Sequence, residues 1–415
     1  MPAPTTVRRM KVVIVGGGIG GCALALSLEA AGITDIEVHE AAAERRELGV
    51  GINVLPHAVR ELAELGIADR VGAEAIALEE LSYHNRFGQQ IWLEPRGIGA
   101  GYHWPQYSVH RGTLLRVLHD AAVERLGAQR FHFGSRISPA DVEQLDADIV
   151  VACDGIHSEL RTLIAPDEGP PLWNGITMWR GTTIGEPFLG GRRMVMVGVL
   201  AHRAVVYPIR DLPDGRQLLN WVVEAKTGDG RPMPRHDWSA EVDVAEPLSW
   251  FDSFRLDWLD VPSMISAADQ VLAYPMCDRD PLTTWRHGNM TLLGDAAHPM
   301  YPIGSNGASQ AIIDSRVLAR ELALCDDPID GLRAYEAQRL PATAAIVLAN
   351  RQVGPEQSMQ IVAERAPNGF ERLEDVISHD ELVAISERYK KTAGFDPGTL
   401  NARPSLSVTT RTLNS

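Results

Sequence analysis

Residues 11–40, KVVIVGGGIGGCALALSLEAAGITDIEVHE, spell a strand, a glycine turn, a helix and a second strand in that order. Lys11 to Val15 is a short β-branched run, Cys22 to Ala31 carries helical spacing that Gly32 stops, and Ile36 to His39 predicts the next strand. Gly16, Gly18 and Gly21 satisfy G-x-G-x-x-G, and Glu40 closes the second strand 19 residues after Gly21. Gly16 permits the sharp turn, Gly18 lets a pyrophosphate approach the backbone, and Gly21 lets the helix pack on the strand. Ile19 and Gly20 complete the turn at the helix N-terminus, whose free N–H groups and dipole favour a diphosphate. Glu40 can accept from a ribose diol and repels a 2′-phosphate. The unit therefore predicts dinucleotide binding and leaves FAD and NAD as alternatives. Arg8, Arg9 and Lys11 ahead of this run give it the outline of a secretion signal. Five glycines between Gly16 and Gly21 argue against a signal helix.

The remainder of the chain fits a large soluble protein. At 415 residues the length predicts two or three domains, taking about 150 residues per domain. Hydrophobic residues make up 45% and charged residues 22%, as in ordinary globular proteins. The formal charge of -15, from 54 acidic and 39 basic residues, repels polyphosphates and anionic lipid, so neither nucleic acid nor a membrane is expected as a partner. Cys22, Cys153, Cys277 and Cys325 lie far apart, without metal-ligand spacing; no metal is expected, and a reducing cytoplasm is.

Two later motifs bear on the choice of dinucleotide. The apolar run Ala147 to Ala152 leads into Asp154-Gly155-Ile156-His157-Ser158-Glu159-Leu160-Arg161, and Met290 to Leu293 leads into Gly294-Asp295-Ala296-Ala297-His298-Pro299. Each aspartate taken alone is an ordinary turn or N-cap residue, and His157 and His298 are ordinary turn histidines. Together with the N-terminal unit, these motifs make the chain resemble the flavoprotein aromatic hydroxylases, single-component FAD monooxygenases of the para-hydroxybenzoate hydroxylase class. Strings such as Gly49-Val50-Gly51-Ile52-Asn53, Gly175-Ile176-Thr177-Met178-Trp179-Arg180-Gly181 and Tyr274-Pro275-Met276 lie nearest to its phenazine-hydroxylating members.

The resemblance implies FAD, with NADH or NADPH as transient electron donor and molecular oxygen as co-substrate. Asp295 would hold a ribityl hydroxyl, Asp154 and Arg161 would serve the FAD pyrophosphate and the passing NAD(P)H, and Arg111 would contact the flavin. The loop Pro302-Ile303-Gly304-Ser305-Asn306-Gly307 would aim backbone N–H groups at the flavin ring, with Val50 and Gly51 near its edge. The reaction implied is hydroxylation of a small planar aromatic or heteroaromatic through a flavin C4a-hydroperoxide, with or without loss of CO2. The cofactor carries that chemistry, and no catalytic side chain is assigned. An FAD oxidoreductase without oxygen insertion and a non-catalytic flavoprotein binding an aromatic ligand are the alternatives.

The expected fold is α/β: a Rossmann-like FAD-binding domain with an inserted, mainly antiparallel β substrate domain and C-terminal helices. The FAD domain is expected to be discontinuous, from 1–80, 104–170 and 273–350. Residues 81–103 and 171–272 would form the substrate sheet, built on alternating runs at Ile176 to Thr183, Met194 to Val199, Ala204 to Ile209 and Leu218 to Glu224. Trp179, Arg180, Tyr207 and Met276 are the pocket candidates, although only one of Met178 and Trp179 can face substrate. Arg180 is read as either a substrate-carboxylate anchor or a scaffold residue. Residues 351–415 read as a helical segment running from Thr392 into a loose tail, the chain as a monomer or homodimer, and the stretch from Gly134 to Asp148 as too short for the strand meander usual in the family.

Overall fold

In the computed structural model, residues 10–45, 49–228 and 241–408 are described. The N-terminal run forms a buried strand at Lys11–Val15, a helix at Ile19–Ala30 and a strand at Asp35–Glu40. They belong to a six-stranded sheet whose order is Arg286–His287, Met290–Leu292, Ile149–Ala152, Lys11–Val15, Asp35–Glu40 and Phe131–Phe133. All neighbours are parallel except the first pair. From Lys11–Val15 the chain moves outward to one side and later returns on the other. This is the topological switch point at which a doubly wound sheet opens a crevice beyond its strand ends. Between Gly134 and Asp148 the described chain has no strand, only a short 3-10 turn at Val142–Gln144.

A second, seven-stranded sheet runs Val271–Asp278, Leu172–Gly185, Gln217–Lys226, His202–Asp211, Arg193–Val199, Glu80–His84 and Gln90–Pro95. It is antiparallel but for the pairing of Arg193–Val199 with Glu80–His84. Strand alternation divides its side chains. One face carries Trp179, Val206, Trp221 and Val223 under the helices Ala245–Phe251 and Val261–Ser266. The other carries Met178, Met194, Met196, Tyr207, Val222 and Met276 and is covered in part by the C-terminal helices through Met359, Val362, Leu382 and Ile385.

The loose tail expected from Thr392 onward is corrected as far as residue 408. Asp396 caps the short helix Pro397–Ala402 by accepting from Thr399 N, and Phe395 and Leu400 are buried. Arg60 donates to the carbonyls of Leu400 at 2.8 Å and Arg403 at 2.6 Å. The polar composition concealed apolar anchors spaced widely enough to escape a periodicity count. Residues 409–415 of that expected tail lie outside the described residues.

Candidate active site

Three neighbouring parallel strands end side by side, and each runs into one of the motifs. Lys11–Val15 leads to the glycine turn, Ile149–Ala152 to Asp154, and Met290–Leu292 to Asp295. Gly18, Asp154 and Asp295 consequently line one cavity of about 900 Å³, with Ile19, Gly20, Val50, Gly51 and Arg111. Pro302 and Gly307 also line it, as do Arg180 and Tyr207 from the seven-stranded sheet.

The glycines of the turn are demanded by different things. Gly16 has φ +110°, and a Cβ there would lie 2.4 Å from Cys153 O; one at Gly21 would lie 2.0 Å from Gly16 O. A Cβ at Gly18 would meet nothing within 4 Å and would project into open space. The fold thus requires Gly16 and Gly21, whereas Gly18 keeps space clear for something bound. The helix beginning at Ile19 has no side-chain cap and no acid in its first turn, and the same holds for the helix beginning at Gly307. Both N-termini therefore offer N–H groups and positive dipole ends toward the cavity.

Asp154 supplies an acceptor. Its Oδ2 takes N–H bonds from Glu159 at 3.0 Å and Leu160 at 3.5 Å, while its Oδ1 is buried without a partner. Burial pushes the carboxyl above its ordinary value, against the pull of Ser158 and the backbone N–H groups. An orphaned carboxylate oxygen asks for a donor, which a hydroxyl of a polyol provides and a phosphate oxygen does not. Helix N-termini for a diphosphate, carboxylates for a polyol, and a cavity walled on one side by an apolar sheet fit FAD.

Several expected contacts lie elsewhere. Arg161 is not available to NAD(P)H. It is 2% exposed, and its guanidinium is bound to Glu168, to the carbonyls of Ala296 (2.9 Å) and Ala297 (2.8 Å), and to that of Asp280 (3.2 Å). It ties the Asp154 loop to the Asp295 loop. Trp179 is corrected as a pocket residue: it faces the outer cluster and donates its indole N–H to Glu246 at 3.0 Å. Met276 lies on the inner face but away from the cavity wall, beside Asn174. Glu40 braces the glycine turn, accepting from Gly17 N and Ala42 N, each at 2.8 Å. Asn306 is fully buried and donates to Gly304 O and the Tyr389 hydroxyl, so with Gly304 it stands behind the loop. His298 is structural, its Nε2 lying 2.5 Å from Asp314 Oδ2.

Sequence reasoning missed Asn53, Gln270 and Tyr274 among the cavity residues. Tyr274 carried a signal, since alternation puts it on the same face as Met276. Arg180 lies with its guanidinium 5.7 Å from the centre of the Tyr274 ring. Burial pushes the Tyr207 hydroxyl up to about 12, so it is a neutral donor at physiological pH.

The FAD binding domain family matches residues 268–350. A phenazine 1,6-dicarboxylic acid hydroxylase, PhzS of Lysobacter antibioticus, is 42% identical over 368 residues, covering 84% of this chain and 90% of the relative. A 3-amino-4-hydroxybenzoate 2-monooxygenase of Streptomyces platensis is 32% identical, covering 88% and 94%. In structure the chain is similar to HpxO of Klebsiella pneumoniae complexed with FAD and uric acid, with a TM-score of 0.72 at 22% identity, covering 97% and 100%. It is also similar to a salicylate hydroxylase substrate complex, with a TM-score of 0.71 at 20% identity, again covering 97% and 100%.

Proposed function

This chain belongs to the single-component FAD-dependent aromatic hydroxylases, and from that membership we propose that it hydroxylates a fused, planar aromatic carboxylic acid of the phenazine class. It is an NAD(P)H- and FAD-dependent monooxygenase, and no helix of the described residues is long and apolar enough to cross a membrane. The observation that carries the substrate proposal is the 42% identity to a phenazine dicarboxylic acid hydroxylase over 84% of this chain.

When bound, FAD takes electrons from NAD(P)H and, with dioxygen, provides the oxygen atom that enters the ring. The residues of this chain bind, orient and shield. Gly18 and the N-terminus of helix Ile19–Ala30 would receive the diphosphate, with Glu40 holding the turn in shape. Asp295, and the orphaned oxygen of Asp154, would accept from polyol hydroxyls. The N-terminus of helix Gly307–Leu324 would offset negative charge on the reduced ring, and Arg111 and Val50 would flank it. Tyr207 and the apolar inner face of the sheet would exclude water and orient the substrate.

The deciding experiment supplies isotopically labelled dioxygen and a panel of phenazine, salicylate and quinolone carboxylates, scored for accelerated NAD(P)H oxidation and for label in the product. Turnover without incorporated label would remove the hydroxylase reading. Acceleration by the other acids and not by phenazines would remove the substrate class alone.

A further inference from the structure

A second, smaller cavity lies behind the flavin loop. It holds about 30 Å³ of free space, room for a water molecule or two. Ser305 lines both cavities and, with φ +56°, is held in the left-handed region. Gln106, in the small chamber, donates to Asn53 Oδ1 at 3.4 Å, and Asn53 lines the large one. One thin wall thus separates the two spaces. The remaining lining mixes Leu55, Leu81, Met194 and Met196 with the side chains of Tyr83, Ser386 and Tyr389, and one end is charged.

At that end stand Glu94, Arg96 and Lys390. Glu94 has its charge met: its Oε2 accepts from Trp92 Nε1 at 3.1 Å and Ser386 Oγ at 3.0 Å, and its Oε1, which has no hydrogen-bond partner, is ion-paired with Lys390. Burial alone would raise its carboxyl, but the Arg96 and Lys390 charges outweigh it and hold the group at about 2. Arg96 is not satisfied. Its side chain is 12% exposed, the Glu94 oxygen nearest to it is 3.8 Å away, and its Nε is buried without a partner. Tyr83, 2% exposed on the same chamber, has a buried hydroxyl that is likewise unpartnered. Near Tyr83, Arg203 has its charge met by Glu224 and Glu356, although its Nε has no partner. Two cations facing one carboxylate leave a positive charge beside an idle hydroxyl donor in a buried chamber. Desolvating a guanidinium without pairing it is costly, and an anionic guest removes that cost.

We propose that the anionic substituent of the substrate passes Ser305 into this chamber and is held there by Arg96 and the Tyr83 hydroxyl, while the ring stays in the larger cavity. Met194 and Met196 suit a chamber wall that must give way to the entering group, because the side chain is unbranched and adaptable. Arg180, which faces the larger cavity over Tyr274 and whose Nε is likewise buried without a partner, is then free of that task, because it has no idle hydroxyl such as that of Tyr83 on its own chamber. The inference rests on the aromatic carboxylate reading above, and it makes Arg96 a specificity-determining residue.

Calorimetric binding to the FAD-loaded enzyme separates the two claims. The probes are phenazine-1,6-dicarboxylate and its neutral diamide, titrated into wild type, Arg96→Met, Tyr83→Phe and Arg180→Met. We expect wild type to prefer the diacid and Arg96→Met to weaken it by about 30-fold or more, with the diamide unmoved. Tyr83→Phe removes a single hydroxyl and should weaken the diacid about fivefold, which keeps the test available if Arg96→Met fails to fold. Arg180→Met should keep the preference. An acid preference left at its wild-type size by Arg96→Met or by Tyr83→Phe, or one that disappears with Arg180→Met, overturns the inference and leaves the function standing. A wild type that binds neither probe, and whose NAD(P)H oxidation no aromatic carboxylate accelerates, overturns both.

Discussion

Asp295 and Asp314 are both acids near the cavity, and their surroundings give them opposite duties. Asp295 is open to the cavity, whereas Asp314 is fully buried, meeting His298 Nε2 at 2.5 Å, Arg339 Nε at 2.6 Å and Gly294 N at 3.2 Å. Asp295→Ala should therefore leave the apoprotein's thermal midpoint in place and raise the FAD dissociation constant roughly 10- to 150-fold, the loss of a hydrogen bond to a charged acceptor. Equilibrium dialysis with FAD measures it, and unchanged affinity would take Asp295 off the cofactor. Asp314→Asn should instead destabilise the fold by about 3 kcal/mol, by leaving Arg339 buried without its counter-charge. Burial pushes the Asp314 carboxyl up, but His298 and Arg339 pull it below its ordinary 3.8. An acid whose value is lowered on folding stabilises above its ordinary value and loses that contribution as pH falls through the lowered one. The stability gap between wild type and Asp314→Asn should thus hold at neutral pH and narrow below about pH 4, which denaturant titrations across pH would show.

At the scale of the element, the strand-turn-helix unit separates glycines that the fold requires from Gly18, which no protein atom requires. Gly16→Ala meets Cys153 O at 2.4 Å in a left-handed backbone, and soluble protein should be scarce. Gly18→Ala meets no protein atom within 4 Å, so the apoprotein should fold within about 1 kcal/mol of wild type while FAD content falls sharply. Full FAD occupancy in Gly18→Ala, checked by flavin absorbance per chain, would contradict the proposed diphosphate site. The same scale explains the error at Trp179. A period of two is plain in Ile176 to Thr183, but the pattern has two equivalent parities, and only the layers above and below choose one. Helices Ala245–Phe251 and Val261–Ser266 claim Trp179, leaving Met178 and Arg180 to the inner side.

At the scale of the whole molecule, the last 50 described residues complete the site from behind. The Tyr389 hydroxyl receives from Asn306 and faces two acceptors with its one proton, Asn350 Oδ1 at 2.8 Å and Ile303 O at 3.1 Å, bracing the loop that carries Ser305. Phe395 stacks on His57 at 5.2 Å between ring centres and accepts at its carbonyl from the Tyr102 hydroxyl at 2.6 Å. Phe395→Ala should cost about 3–5 kcal/mol of stability and speed FAD release, read by urea unfolding and by stopped-flow flavin fluorescence. Stability lost with unaltered FAD release would separate this segment from the flavin loop.

What could be read from the chain alone was whatever local chemistry dictates. Gly16 needs a positive φ for the turn and Gly21 needs close approach to Gly16 O five residues back, so each of these requirements has a cause within a few residues. The motifs around Asp154 and Asp295 were legible for the same reason, each being a strand end with its own turn. Partners distant in sequence were beyond reach. The glutamate that occupies Arg161 is near, but the carbonyls that finish the job, Ala296 and Ala297, arrive 135 and 136 residues later. The string Glu94-Pro95-Arg96-Gly97 shares in the family likeness but gives Arg96 no role, because an arginine becomes conspicuous only when folding buries it and gives its neighbouring carboxylate to Lys390. Burial and parity belong to the packed layers, and the layers exist only once the chain has closed on itself.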